Sequence, residues 1–316
     1  MSEGRSCPLA YRYRPSDLCL DPRPVSEDVL YVVGGLYGNP YALDEIERMA
    51  RAEEQQGRRV RLVFNGDFNW FNASDSLFRE INSRVLEHTV SLGNVDYELA
   101  TPNDGAGCGC AYPDFVDERV VARSNAMMER LQAVAGNHPD LQQRLRLLPR
   151  YRCLLLGGLK VLVLHGDPGS LAGWGLAHES FVAGNGHELT EWFRRTGADV
   201  IASTHTCLPV LWSGTVDGRS RTVVNNGSAG MGNLAQDPRG LITRIALTAP
   251  LHEPVAGFDS KGLSVSLLPV AYDLAAWLSR FDQLWPAGSA AADSYRDRIS
   301  GGTSLTPGRV VFPPSV

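Results

Sequence analysis

From position 29 to about 246 the chain repeats one rhythm: a short apolar run rich in β-branched residues, a cluster of Gly, Asn, Asp or His, then a helical pattern. That alternation predicts layered α/β structure. Residues 30–33 form the first such run and lead into Gly34-Gly35, and the stretch 42–52 (ALDEIERMARA) follows with the period of an amphipathic helix. Residues 59–64 make the next predicted strand, ending in Asn65-Gly66-Asp67. A helix is expected over 76–87, and a short strand over 89–92 runs into Gly93-Asn94-Val95-Asp96.

The stretch 101–114 (TPNDGAGCGCAYPD) is turn-rich and reads as a long loop. A helical pattern over 117–135 breaks at Gly136-Asn137-His138-Pro139 and resumes to 148. Residues 159–164 give the clearest strand, ending in His165-Gly166-Asp167. A further strand over 199–202 runs into Ser203-Thr204-His205-Thr206-Cys207, and another over 222–224 leads into Asn225-Asn226-Gly227-Ser228. Residues 241–247 look like a closing strand. Beyond 249 the pattern weakens to a strand-like stretch (263–268), a helix (272–284) and a Pro/Gly/Ser-rich tail from Pro286, expected to be peripheral. The organisation expected is one large domain, 29–249, with a Cys-containing loop insertion near 101–116, an N-terminal extension (1–28) and a C-terminal one (250–316).

With 316 residues, 43% of them hydrophobic, the chain can bury a substantial core. Its 30 basic and 35 acidic residues are intermixed, so the net charge of -5 leaves no electrostatic footprint for a nucleic acid. The N-terminus lacks the apolar core of a signal peptide and no segment has the length to cross a bilayer, so a cytoplasmic protein without membrane contact is expected. Six cysteines in a chain this long are too sparse for a disulfide scaffold, and the thiols are expected to be reduced.

Four successive strand-like runs end near a residue able to bind a transition metal: Asp67, Asn94, His165 and His205. Strand ends of a layered α/β protein can share one edge, where such folds place their sites. Two imidazoles, a carboxylate and an amide oxygen suit one divalent Mn, Fe, Co or Zn ion better than Ca²⁺.

The order of these turns resembles the calcineurin-like metallophosphoesterase superfamily, over roughly 29–247. Its blocks run Asp-x-His, Gly-Asp, Gly-Asn-His-Asp/Glu, His and Gly-His-x-His, often followed by Asn-Pro-Gly-Ser. This chain has Gly66-Asp67, Gly93-Asn94-Val95-Asp96, His165-Gly166-Asp167, Thr204-His205-Thr206-Cys207 and Asn225-Asn226-Gly227-Ser228 in that order. The resemblance implies a layered α/β/β/α sandwich and metal-dependent hydrolysis of a phosphoester or related bond in a small anionic substrate. It makes Asp67 the bridging carboxylate, with Asn94, His165 and His205 completing the second metal's shell.

The first metal's ligands are replaced by Gly35, Tyr37 and Cys207, and Val95 stands where the family often has a His that protonates the leaving group. Tyr37 and Cys207 can still coordinate, so a second metal or a substrate shell built on them, with Cys108 or Cys110 folded in from the loop, stays open. Gly136-Asn137-His138-Pro139-Asp140 spells the third block more fully, but it follows a helix rather than a strand, which favours Asn94. No residue other than the ion and its bound water is assigned to the chemical step; Asp96 is a candidate support, and Asn39 and Asn225 mark turns that could contact substrate. Trp70 and Phe71 fit the core. Two other readings remain: a repurposed mononuclear or Cys/Tyr-containing metal enzyme of another reaction class, and a non-catalytic metal- or ligand-binding protein.

Overall fold

Period-two alternation along the apolar runs decides how they pack. In residues 29–33, Leu30 and Val32 face one way while Val29, Tyr31 and Val33 face the other, and both sets are buried. A strand buried on both faces must lie between two layers. A computed structural model describes residues 3–103, 105–260 and 262–313 of the chain.

The strands in chain order are β1 (Arg23–Pro24), β2 (Val29–Val33), β3 (Val60–Phe64), β4 (Thr89–Val90), β5 (Tyr151–Leu156), β6 (Leu159–Leu164), β7 (Val200–Ser203), β8 (Pro209–Val216), β9 (Arg219–Asn226), β10 (Gly240–Ala246), β11 (Ala256–Ser260), β12 (Leu263–Val270) and β13 (Val311–Phe312). They form two mixed sheets, ordered β1-β5-β6-β7-β9-β8-β13 and β11-β12-β10-β2-β3-β4. Between the sheets lies a dry layer containing Leu30, Val32 and Val63 from one and Val161, Val163, Val200 and Ala202 from the other. Each of the Leu and Val side chains among them contributes about 1.5–3 kcal/mol relative to exposure.

Helices cover both outer faces. The second sheet carries α1 (Pro40–Gln55), α2 (Asp75–Val85), α3 (Asn94–Ala100), α4 (Glu118–Gly136) and α5 (Pro139–Arg146), whose apolar stripes bury Ile46, Phe78 and Leu131 with Tyr31, Val33 and Phe64. The first carries α6 (His178–Ala183) and α7 (Gly186–Thr196), which set Phe181, Trp192 and Phe193 against Leu162, Leu164 and Ile201. The α/β/β/α sandwich expected from the sequence is the fold observed. No helix among the described residues is long and apolar enough to cross a membrane.

Parallel pairing brings the functional turns to one edge. Phe64 pairs with Val33 and Val90 in β2‖β3‖β4, so the segments after β3 and β4 emerge together. Val163 pairs with Ala202 in β6‖β7, which does the same for the segments carrying His165 and His205.

Three expectations change. The 93–96 turn is the start of α3: Asp96 accepts from the Gly93 N–H at 3.2 Å and caps the helix from its third position. Strands β5 and β8 and helices α6 and α7 had no counterpart in the predicted series. The tail is not peripheral, since after α8 (Leu274–Leu284) it forms α9 (Ala290–Gly301), which buries Ala291 and Ile299 against the helical layer, and then β13, which pairs with β8.

Candidate metal centre

Asp67, His165 and His205 offer ligand atoms that all lie within 4.8 Å of one another, and all three residues are buried. His165 sits at the middle. Its Nδ1 faces the Asn65 carbonyl at 2.9 Å, a bond that assigns the proton to Nδ1 and turns the Nε2 lone pair inward. Around Nε2 stand the Asn94 Oδ1 at 3.0 Å, the His205 Nδ1 at 3.2 Å and the Asp67 Oδ2 at 3.3 Å. Asn94 is held in that sense because its amide N–H donates to the Cys108 carbonyl at 3.0 Å.

Four lone-pair atoms thus converge in a buried place with too few protons to satisfy them, and the far nitrogen of His205 makes no hydrogen bond of ordinary geometry among the described residues. One cation in the middle would satisfy the set, and the two-imidazole, carboxylate, amide composition fits a first-row divalent metal. Burial and then the neighbouring His165 ring push the His205 imidazole down to about 3, so it is neutral and free to donate its lone pair. Burial opposes charge on His165, but the Asp67 carboxylate and the Asn65 carbonyl outweigh it and raise its pKa.

Support comes from Asp96, the expected helper. It accepts from the Asp67 N–H at 2.7 Å and from the Asn69 amide at 3.0 Å, and fixes the Asp67 backbone while the Val95 N–H holds the Asp67 Oδ1 at 3.1 Å. Burial, then the Asp67 charge, lifts Asp96 to about 7. Backbone strain is concentrated here: Asp67, His205, Tyr37 and Cys207 take φ of 55°, 60°, 54° and 64°, conformations costing about 1–3 kcal/mol each unless the surroundings fix them.

Gly93 is required by close approach. A Cβ there would stand 2.2 Å from Asp67 Oδ1 and 2.8 Å from the His165 ring. Gly93→Ala is therefore expected to displace Asp67 and weaken metal affinity at least about tenfold, the lower bound typical of disturbing a ligand's support, as read by metal titration of the folded variant. Undiminished affinity would mean that Asp67 is not a ligand.

The other sequence-predicted residues fall differently. Tyr37 and Cys207 pair with each other, hydroxyl to sulfur at 2.8 Å. A Cβ on Gly35 would meet the Tyr37 ring at 3.0 Å, so the phenol fills the space that an acidic side chain at 35 would use. Burial raises the pKa of both Tyr37 and Cys207, which keeps them neutral. Cys108 and Cys110 are joined in a disulfide, contrary to the expectation of reduced thiols: the turn at Gly107 and Gly109 brings the two sulfurs together, and neither is available as a thiolate ligand. Asn39 caps α1 through the Tyr41 and Ala42 N–H groups and donates to the Gly230 carbonyl. Asn225 ties the Leu176 and Thr204 carbonyls to the Gly227 N–H. Both are fully buried and committed to protein partners, Asn225 to the Thr206 hydroxyl as well as to backbone. His138 lies between α2 and α5, bonded to Asp75 and Arg79. Phe71 is in the core as expected, whereas Trp70, though buried, also lines the cavity beside the centre.

That cavity, about 270 Å³, adds residues the sequence reading missed: Trp174, Tyr112, Phe115, Tyr295 and Arg298. They come from the 101–116 loop region, the segment after β6 and α9, and no local pattern links those stretches.

The structure is similar to that of a hypothetical protein from Pyrococcus horikoshii, with a TM-score of 0.57 at 15% sequence identity over 88% of this chain and 99% of that one. A metallophosphoesterase from Sphaerobacter thermophilus matches with a TM-score of 0.53 at 17% identity, over 88% of this chain and 100% of that one. No protein-family model and no curated protein matches the sequence. At such identities the likeness is one of fold, and the fold is that of the metallophosphoesterase structure.

Proposed function

We propose that this protein is a metal-dependent hydrolase of a phosphoester or related bond in a small anionic substrate, using one divalent Mn, Fe, Co or Zn ion. The observation that carries this reading is the convergence of Asp67, Asn94, His165 and His205 around the His165 Nε2 at one end of a metallophosphoesterase-type sandwich. Bound there, a divalent metal supplies Lewis acidity toward a phosphoryl oxygen and toward water.

The chain does the positioning. The Asn65 carbonyl fixes the His165 tautomer, the Cys108 carbonyl orients Asn94, and Asp96 holds Asp67 by its backbone. The indole of Trp174 stands edge-on to the His205 ring, centroids 5.5 Å apart, and shields that side of the site from bulk water. Val95 offers no proton, so the leaving group must depart without help from that position. Elemental analysis of protein purified without chelator, with turnover of an aryl phosphate before and after metal removal, tests the proposal. About one ion per chain and activity that disappears with it are expected; equal turnover by metal-free protein would sink the reading.

The one-ion reading is supported by the Tyr37 phenol, which stands 3.0 Å from where a Cβ on Gly35 would lie and leaves little room for an acidic side chain there. Restoring the first metal's place with Gly35→Asp, Tyr37→His and Cys207→His together is expected to raise the metal content from about one to about two per chain and to increase phosphatase turnover, because paired metals stabilise both attacking and leaving oxygens. Asp and His are suited to the left-handed backbone at 35 and 37. A triple variant that folds and still holds one ion would show that the phenol is not what excludes the second.

A further inference from the structure

We infer that the cavity beside the metal centre selects esters with an aryl or comparably flat apolar group, and that Arg298 of α9 binds their anion. The inference rests on the hydrolase reading above and names its substrate class. Trp70, Tyr112, Phe115, Trp174 and Tyr295 wall the cavity, with Asp67, Asn94 and His205 at its base.

The polar atoms of that wall are largely spent. The Trp174 N–H donates to the Cys110 carbonyl at 3.0 Å, the Tyr112 hydroxyl pairs with Ser124 at 3.0 Å, and the Tyr37 hydroxyl with Cys207. A sugar or nucleobase entering here would leave its own donors and acceptors unmet, which is costly, whereas an aromatic ring loses nothing by it. Tyr112 and Trp174 are 5.8 Å apart by centroid, and Phe115, 68% exposed at the rim, meets Trp174 edge-on at 6.2 Å. Exposed aromatic surface at the mouth of such a cavity is unfavourable in water and is covered by an apolar ligand.

Arg298 supplies the charge. Its guanidinium donates to the Cys207 carbonyl, to the Gly232 carbonyl at 2.9 Å and to the Asn233 side-chain oxygen, all neutral acceptors. It makes no ion pair with a carboxylate among the described residues, and Glu179, which also lines the cavity, is exposed. A half-buried cation anchored on the Cys207 carbonyl, two residues from His205, and without an ion pair within 4.0 Å among the described residues favours an anion in the same cavity. The class also suits a site with Val95 in place of an acid, since an aryl oxide leaves unaided. Water adds its oxygen to phosphorus, the P–O(aryl) bond breaks and its electron pair leaves on the aryl oxide. Both protons of the water stay on the phosphate until solvent takes one.

The test uses the Mn²⁺-loaded full chain and three stable anions, methyl-, phenyl- and 2-naphthylphosphonate, with binding read by calorimetry and by tryptophan fluorescence. Affinity is expected to rise from methyl to naphthyl by at least about tenfold. Arg298→Met should weaken all three by about tenfold while keeping their ratio. Phe115→Ser, at an exposed position that cannot unfold the core, should weaken naphthyl binding about threefold and leave methyl binding alone. Turnover of 2-naphthyl phosphate is measured in parallel. Graded binding without turnover would overturn the hydrolase reading and keep the ligand class. Turnover with equal affinity across the series, or binding indifferent to both substitutions, would overturn the inference and keep the hydrolase. No binding of any phosphonate would overturn it as well.

Discussion

His165→Ala is expected to strip metal and turnover together while the protein stays folded. Partners in a metal's outer shell are commonly worth about 10–100-fold, so removing the central nitrogen donor should lower affinity and activity by more than about a hundredfold. The stability cost should be moderate, about 1–3 kcal/mol, because the substitution leaves the buried Asn65 carbonyl without its donor. His138→Ala is the matched control. Its ring stacks on Phe78 with centroids 5.3 Å apart and bonds Asp75 and Arg79, so its loss should lower the melting temperature but spare metal and turnover. Elemental analysis, aryl phosphate turnover and thermal unfolding of the two variants check this. If His165→Ala retained a full equivalent of metal, or His138→Ala lost it, the Gly136-Asn137-His138 segment would be the better third block and the centre described above would be wrong.

The physical origin of those residues' legibility is that strand ends declare themselves. Runs such as 161–164 are continuous and apolar because both faces are buried, and the polar turn after each must lie at the sheet's edge. Asp67, His165 and His205 could therefore be found one by one. Asn94 could be found by order, although its helix could not: α3 spans Asn94–Ala100, too short for a helical period to stand out, and its start depends on the Asp96 cap. Strand β8 starts at a proline and runs through Ser213 and Gly214, which mimics a loop; pairing with β9 overrides that composition. The cavity was illegible for a different reason. Arg298 and Tyr295 lie in a tail whose Gly, Pro and Ser hide a twelve-residue helix, and only packing brings α9 to Cys207 and Gly232. Tyr37 was half legible: the sequence shows Tyr37 and Cys207 where the resemblance expects His, but only the fold shows that the phenol, on a left-handed backbone, pairs with the Cys207 sulfur at 2.8 Å.

Removing one partner of the Glu53–Arg244 pair should give a large loss of stability at a distance from the metal. Both side chains are fully buried, with Arg244 Nε donating to Glu53 at 2.7 Å. Glu53 also takes Arg58 and the Tyr31 hydroxyl, and Arg244 reaches the Thr248 and Ala249 carbonyls. The network fastens the end of α1 to β2 and β10, and so fixes the helix whose first turn follows Tyr37. Arg244→Met leaves a buried carboxylate with only Arg58 as cation and is expected to cost about 3–5 kcal/mol. The double variant Glu53→Met, Arg244→Met removes both charges and should cost less than either single change, since an apolar pair needs no desolvation of ions. The pH dependence has a fixed sign. Burial alone would raise the Glu53 pKa, but the hydrogen bonds from Arg244 and Arg58 prevail and hold it below its usual 4.5. A carboxyl with a depressed folded pKa stabilises the protein fully above the unfolded value and loses that contribution as pH falls through the folded one. The wild-type advantage in melting temperature over the double variant should therefore be constant above about pH 5 and shrink below 4.5. An advantage that grew on acidification, or a double variant weaker than both singles, would mean that the pair is held by its packing and not by its charges.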